Sequence, residues 1–370
     1  MIRIIKRNGS AEALSEEKYN RVVMWATDGV DGVSASAVAM GAAASIVDGM
    51  TTSQVHDALI KAAADLISAD SPNYSQVAAR LSIFKIRKDA HGQYEYPDFY
   101  EHILKNVTRG VYDSEIMHKY SCEEIDELGA YMKPERDDNF GYAATTQLRG
   151  KYLVQHRVNG EIYESPQHIY MLVGMCLYQD WNNGDMGKTR LEMVKGFYDV
   201  TSTFKLSLPT PIMAGVRTPT RQFSSCVLIE SGDSLKSINA TTSAIVEYIS
   251  QRAGIGVNFG SIRALGSPIR NGEATHTGVI PFLKLFQAAV KSCSQGGVRG
   301  GAATAYYPLW HLEANSLLVL KNNRGVDSNR VRHMDYGVEL NRLMYRRLIE
   351  GGAITLFSPH DVPGLLNAFY

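Results

Sequence analysis

Phe223-Ser224-Ser225-Cys226-Val227-Leu228-Ile229 is the stretch on which the fold turns. A short apolar run entered through small polar residues is the pattern of a buried strand. Strand alternation sends Ser225 to one face and Ser224 with Cys226 to the other, so two hydroxyls and a thiol border one strand start. Two readings of Cys226 stand side by side: a thiol lining a cavity, or the packed core thiol that most free cysteines are. Downstream, Leu235, Ile238, Ile245, Tyr248 and Ile249 form an apolar helical stripe over residues 235–252, and Gly254-Ile255-Gly256-Val257-Asn258-Phe259 forms a strand. A loop from Ser261 to Gly278 follows, then a helix over 281–291, a strand over 305–310, helices over 312–322 and 330–350, and a strand over 353–357. Alternating strands and helices predict parallel β/α units, whose ligands gather at the carboxyl ends of the strands. Cys226, Asp233, Gly254 and the loop in the 260s are expected at or just beyond those ends.

Between two of these elements lies Cys293-Ser294-Gln295-Gly296-Gly297-Val298-Arg299-Gly300-Gly301-Ala302-Ala303. Four glycines in eleven residues disfavour both a helix and a central strand, which predicts a mobile loop. One cation, Arg299, among backbone N–H groups suits an anionic or polar ligand, although the stretch lacks the phosphate-binding G-x-x-x-x-G-K-[ST] spacing and reads equally as a plain connector.

The amino-terminal part is built differently. Ile2 to Arg7 runs into Asn8-Gly9, a hairpin signal, and Ser15 before Glu16-Glu17 is a helix N-cap, with Val22, Val23 and Trp25 beginning the buried face. A second helix starts at Thr52-Ser53 with Val55, Leu59, Ala62, Ala63 and Leu66 in register, and a third carries Val77, Leu81, Ile83 and Phe84 before Gly92. This small domain exposes Lys6, Arg7, Lys18, Arg87 and Lys88, which either converge on a polyphosphate or are solvated surface charges. From Tyr94 to about Asp199 the chain is mostly helical and rich in tyrosine, with one hairpin at Asn159-Gly160 and with Cys176 on the buried face of a helix.

Composition limits the function classes. The 38 basic and 38 acidic residues balance, so no overall field favours nucleic acid or an anionic membrane. No apolar run approaches the roughly 18 residues of a membrane span, and no apolar leader follows the basic start. The four cysteines, Cys122, Cys176, Cys226 and Cys293, lack metal-ligand or disulfide-framework spacing, which favours a reducing cytoplasm and no metal bound by this chain.

The motifs Pro209-Thr210-Pro211-Ile212-Met213, Gln222 to Cys226, Arg252-Ala253-Gly254-Ile255-Gly256, Ser292 to Ala302 and Phe357-Ser358-Pro359-His360-Asp361-Val362-Pro363 together resemble the large subunit of class I aerobic ribonucleotide reductase. The resemblance implies an α/β fold with an amino-terminal ATP-cone (1–92), a mainly helical region (93–205) and the first part of a ten-stranded α/β barrel (206–370). Lys6, Glu12, Lys18, Thr52 and Lys88 match the cone's overall activity site for ATP or a deoxynucleotide, with magnesium on the nucleotide. Asp233, Ser234, Leu235, Arg263 and Arg270 match the specificity site. Thr210, Ser225, Cys226 and Gly254 match substrate contacts, Cys226 being one thiol of the redox pair. Residues Cys293 to Gly301 match the loop that joins effector to substrate and would need its glycines for movement.

The family pattern continues beyond Phe369 with the radical cysteine, the second redox cysteine and a carboxyl-terminal cysteine pair. The resemblance therefore implies either a second polypeptide completing the barrel or a shortened form of a longer chain, together with a small subunit with a di-metal radical cofactor, self-association at the large-subunit interface, and thioredoxin or glutaredoxin as reductant. The alternative expectation is a catalytically inactive nucleotide-binding module. Some members use two cone histidines to distinguish dATP; His56 matches one, and Lys85 replaces the other, which leaves dATP inhibition open.

Overall fold

The computed structural model describes residues 2–182, 186–221, 223–295 and 299–368. The chain divides into two compact units, Met1–Arg221 and Gln222–Tyr370.

The first unit opens with an antiparallel hairpin, β1 (Arg3–Ile5) and β2 (Ala11–Ala13), turned at Gly9 with φ of 81°. Four helices follow: α1 (Glu16–Thr27), α2 (Ala35–Ala43), α3 (Thr52–Asp65) and α4 (Tyr74–His91). Ser15 caps α1 by accepting from the Lys18 N–H at 3.3 Å. Val23, Val38, Leu59, Ala63, Val77 and Leu81 close their common core. The sequence expectation omits α2, because its Ala-rich run offers no contrast between faces from which a helical period could be read.

The helical region continues with α5 (Phe99–Thr108), α6 (Glu115–Lys119), α7 (Cys122–Tyr131), α8 (Tyr142–Gln147), α9 (Pro166–Tyr178), α10 (Arg190–Ser202) and α11 (Thr210–Gly215). Cys176 is buried in its core, as expected. The Asn159-Gly160 hairpin is reduced to one antiparallel bridge, Gln155 to Ile162, with Gly160 at φ 76°. Arg87 is a correction: it is buried, not exposed, and its guanidinium pairs with Asp137 at 2.6 Å. Asp137 accepts from Tyr96 and Gln167 as well, so the buried charges are hydrogen-bonded on several sides.

The second unit contains a parallel sheet in the order β10-β9-β4-β3, formed by β3 (Cys226–Glu230), β4 (Gly254–Asn258), β9 (Ala303–Pro308) and β10 (Asp335–Glu339). Between them run α12 (Leu235–Ser250), the two-residue pair β5 (Pro268–Ile269) and β6 (Ala274–Thr275), α13 (Ile280–Ser292), the pair β7 (Ser294–Gln295) and β8 (Arg299–Gly300), and α14 (Ala314–Leu317); α15 (Arg342–Glu350) and α16 (Pro363–Ala368) follow β10. Ile255, Val257, Ala303, Ala305 and Tyr307 pack with Ile238, Ile245, Ile249, Leu283, Phe286 and Val290 of α12 and α13. Alternation turns Cys226, Leu228, Glu230, Gly256 and Tyr306 to the opposite face, where Leu228 is 82% exposed. The Tyr306 ring lies over Gly256 and Gly337, which leave it room that no side chain could.

Several expectations are corrected here. Residues 335–339 are a strand within the expected 330–350 helix, and 312–322 yields only the four-residue α14. Residues 353–357 form no strand; Phe357 makes a single parallel bridge to His311. Leu235 and Tyr248 lie outside the buried stripe of α12. Cys226 and Gly254 are register partners at the amino ends of β3 and β4, not at the carboxyl ends. Asp233 and the loop in the 260s do follow carboxyl ends, so the two residue sets occupy opposite ends of the sheet, about 13 Å apart along a five-residue strand. The expected mobile loop has a base zipped by β7 and β8, in which Ser294 pairs with Gly300 and Gln295 with Arg299. Gly296, Gly297 and Val298 lie outside the described residues.

Candidate functional site

In the first unit, Lys6, Arg7, Lys18, Thr52, Ser53, His56, Phe84, Lys85 and Lys88 line a cleft of about 420 Å³. The hairpin supplies Lys6 and Arg7, the first turns of α1 and α3 supply Lys18 and Thr52, and one face of α4 supplies Phe84 and Lys88 four residues apart. Thr51 and Gln54 form a capping box at the start of α3, and the first-turn N–H groups of Thr52 and Ser53 have no acceptor inside the helix. Ammonium groups around a helix N-terminus favour a polyphosphate. Lys6 pairs with Glu12 at 2.8 Å, and that hydrogen bond holds the Glu12 carboxyl below its usual range. Glu12 therefore bears on the cleft through Lys6.

His56 is neutral at pH 7. Its ring stacks on Phe84 at 5.1 Å, its Nε2 lies 2.7 Å from the Leu81 carbonyl oxygen, and burial lowers its pKa to about 4. Lys85 is held by Asp57, and Arg7 by Asp89 at 3.0 Å. Ser53 and Phe84 were not among the expected contacts; the helical period marks Phe84 as core, and its i,i+4 spacing to Lys88 is the signal that places both on one face.

In the second unit, Asp233 follows β3 and receives Arg263 twice, from the backbone N–H at 3.0 Å and from Nε at 2.8 Å. Arg263 also donates to the Pro268 carbonyl, tethering the segment just before Arg270. Ser234 caps α12 by accepting from the Ser237 N–H at 3.2 Å, and Leu235 is exposed beside it. Arg270 and Asn271 adopt φ of 50° and 58°, and Arg270 is exposed with Glu273 3.6 Å away. Asp233, Ser234, Leu235 and Arg263 are thus gathered around the amino end of α12.

At the other end of the sheet, the Gly254 N–H donates to the Ser225 carbonyl at 2.8 Å, and Cys226 is an exposed free thiol. That exposure agrees with the reading of a thiol that lines a cavity. A Cβ on Gly254 would stand 3.7 Å from the Cys226 sulfur, so the missing side chain keeps one flank of the thiol open. Thr210 is the first residue of α11 and belongs to the first unit. Cys293 is a half-buried free thiol at the end of α13. No helix among the described residues is long and apolar enough to cross a membrane.

A cleft lined by ammonium groups on a small helical domain, together with a parallel α/β sheet bearing an exposed thiol on the face that carries no helix among the described residues, defines a two-part α/β protein with a cleft of the nucleotide-binding type. Residues 2–89 match the family model for the ATP cone domain, 138–221 that for the ribonucleotide reductase all-alpha domain, and 224–370 that for the ribonucleotide reductase barrel domain. The chain is 61% identical over 367 residues to ribonucleoside-diphosphate reductase 1 subunit alpha of Escherichia coli (strain K12), covering 99% of this chain and 48% of that one. It is 54% identical over 370 residues to the subunit alpha of Enterobacteria phage T4, and 31% identical over 369 residues to that of Helicobacter pylori (strain J99), covering 48% and 46% of those chains. The chain spans about half the length of the curated relatives it matches. It belongs to the ribonucleotide reductase large-subunit family.

Proposed function

We propose that this chain is the regulatory and substrate-binding part of a ribonucleoside-diphosphate reductase, which converts ribonucleoside diphosphates to deoxyribonucleoside diphosphates by radical chemistry. The observation that carries the reading is the exposed Cys226 thiol on the helix-free face, flanked by Gly254 and the Ser225 carbonyl. Two thiols becoming a disulfide supply the two electrons and two protons that replace the 2′-hydroxyl by hydrogen and release it as water. Cys226 is one of them, and the second thiol and the radical cysteine come from a further polypeptide segment. Ser225 and Gly254 hold the substrate.

Under this reading, residues 1–92 bind ATP or a deoxynucleotide, with its magnesium, at Lys6, Glu12, Lys18, Thr52 and Lys88. Residues 93–205 form the helical region, and 206–370 carry the substrate contacts and the specificity site at Asp233, Ser234, Leu235, Arg263 and Arg270. The loop from Cys293 to Gly301 couples the two. The partners are a carboxyl-terminal large-subunit segment, a small subunit carrying a di-metal radical centre, a second copy of this chain, and thioredoxin or glutaredoxin; the setting is cytoplasmic. Among the described residues β3 and β10 are edge strands, which supports completion by further strands.

The test mixes the purified chain with the remaining large-subunit segment and the small subunit, and measures CDP reduction with and without ATP. Activity that disappears in Cys226→Ser, with dTTP binding retained, supports the reading. Absence of CDP reduction from folded components sinks it, and leaves the nucleotide-binding module as the surviving alternative.

A further inference from the structure

The Gly-rich loop leaves α13 at Cys293 and returns at Gly301 to the same place. A Cβ on Gly301 would overlap the Val290 carbonyl oxygen of α13 and come within 3.1 Å of two Ile249 side-chain carbons in the last turn of α12. The Lys291 ammonium, in the last turn of α13, donates to the Gly301 carbonyl at 3.1 Å. Glycine is required at 301 for close approach, whereas a Cβ on Gly300 would meet nothing within 4 Å. The returning foot of the loop is therefore clamped between the carboxyl ends of two helices.

From that clamp, backbone hydrogen bonds run in one row to the Ser225 carbonyl beside Cys226. The Ala302 carbonyl accepts from the Ile255 N–H at 3.2 Å, and the adjacent Gly254 N–H donates to the Ser225 carbonyl at 2.8 Å, next to Cys226. In the other direction, α12 is a rod of 16 residues, about 24 Å long. Ile249 touches the clamp at one end of it, and Ser234, Asp233 and Arg263 gather at the other. The ammonium of Lys291 sits where α13 presents its last carbonyls, so charge and helix dipole both favour it there.

We propose that Lys291 is a positioning residue which, with Gly301, fixes the foot of the loop against α12 and α13 and so transmits changes at the amino end of α12 to Ser225 and Cys226. The inference rests on the proposed specificity site, and it adds a route within one chain: rod, clamp, backbone row, thiol. Lys291 is not among the residues proposed to hold a nucleotide; it acts by holding the Gly301 carbonyl in place.

The test uses the full chain and two readouts. The first is dTTP affinity by calorimetry. The second is the rate of Cys226 alkylation, located by peptide mass spectrometry, with and without dTTP. In the wild-type chain dTTP is expected to change the Cys226 rate at least about fivefold, the lower end of ordinary coupling between sites. Lys291→Met is expected to keep dTTP affinity within about twofold and the melting temperature within about 3 °C, while losing most of that change; Lys291→Arg, which keeps a donor, restores it. Gly301→Ala is expected to shift the Cys226 rate even without dTTP. If dTTP binds and alters Cys226 equally in wild type and Lys291→Met, the clamp proposal is overturned while the specificity site stands. Failure of dTTP to bind the wild-type chain overturns the site and the clamp together.

Discussion

Acid should weaken the first unit through His91, and the size of the effect can be worked from its surroundings. The ring lies 5.4 Å from that of His102 and 5.2 Å from that of His168, both nearly edge-on, and its Nε2 is 2.6 Å from the Ser165 hydroxyl. Burial, then the charges of Lys105 and Arg87, lower its pKa from the usual 6.5 to about 4. The folded chain therefore refuses a proton that the unfolded chain accepts, and stability falls as pH drops from about 6.5 towards about 4. With those two values the contribution lost by one imidazole is negligible at pH 7 and about 2 kcal/mol at pH 5. His91→Gln keeps a neutral group within reach of Ser165 and cannot titrate. Urea unfolding followed by the fluorescence of Trp25 and Trp181 at pH 7 and pH 5 gives the pH-dependent loss for each protein. The wild-type loss should exceed that of His91→Gln by about 2 kcal/mol. Equal losses would refute the argument that this imidazole is held neutral by its packing.

Three further outcomes follow from specific contacts. Arg217→Met leaves Glu164 buried without its ion-pair partner, both side chains being fully buried, and should cost about 3–5 kcal/mol, visible as a lowered melting temperature or insoluble chain. Gly337→Ala places a methyl group into the Tyr306 ring and should destabilise the second unit by about 1–3 kcal/mol in urea titrations followed at Trp310. At pH 8 an alkylating reagent should label Cys226 and leave Cys176 unmodified in the folded chain, because burial pushes the Cys176 thiol up to about 12; labelling of both at similar rates contradicts the packing described.

What could be read from the sequence depended on whether local pattern and tertiary demand agree. Ser15 before Glu16 and Glu17, and Thr51 with Gln54, carry their own caps, so α1 and α3 start where pattern places them. The strand at Cys226 is legible because its neighbours form parallel β/α units on which α12 and α13 pack. Its polarity was misjudged: periodicity locates a strand but does not say which end holds a reactive side chain. Asp335 to Glu339 was hidden because Tyr306 packing on Gly337, a tertiary fact, makes that segment a strand beside a helix-rich run. Arg87 was misplaced for a similar reason, since its partner Asp137 lies 50 residues away. The cone cleft was legible only as a set of charges; the stacking of His56 on Phe84 depends on how α3 meets α4.

The placement of the two residue sets in the second unit constrains any coupling between them. An open parallel sheet ordinarily collects ligands beyond its carboxyl ends, which is where Asp233, Arg263 and the capped start of α12 lie. Cys226 departs from that placement because the chemistry proposed for it needs an open approach, and the helix-free face at the amino end provides one: Gly254 adds no side chain there, and the thiol is exposed. The sheet itself is a poor conductor of information between its ends, since each strand is locked in register to its neighbours along its length. A helix that spans the same distance with one end in each region can tilt or slide as a unit. Of the elements packed on the sheet, α12 starts beside Asp233 and finishes against Gly301, which makes its carboxyl-terminal turn, and not the strands, the place where a change at one end has to be received.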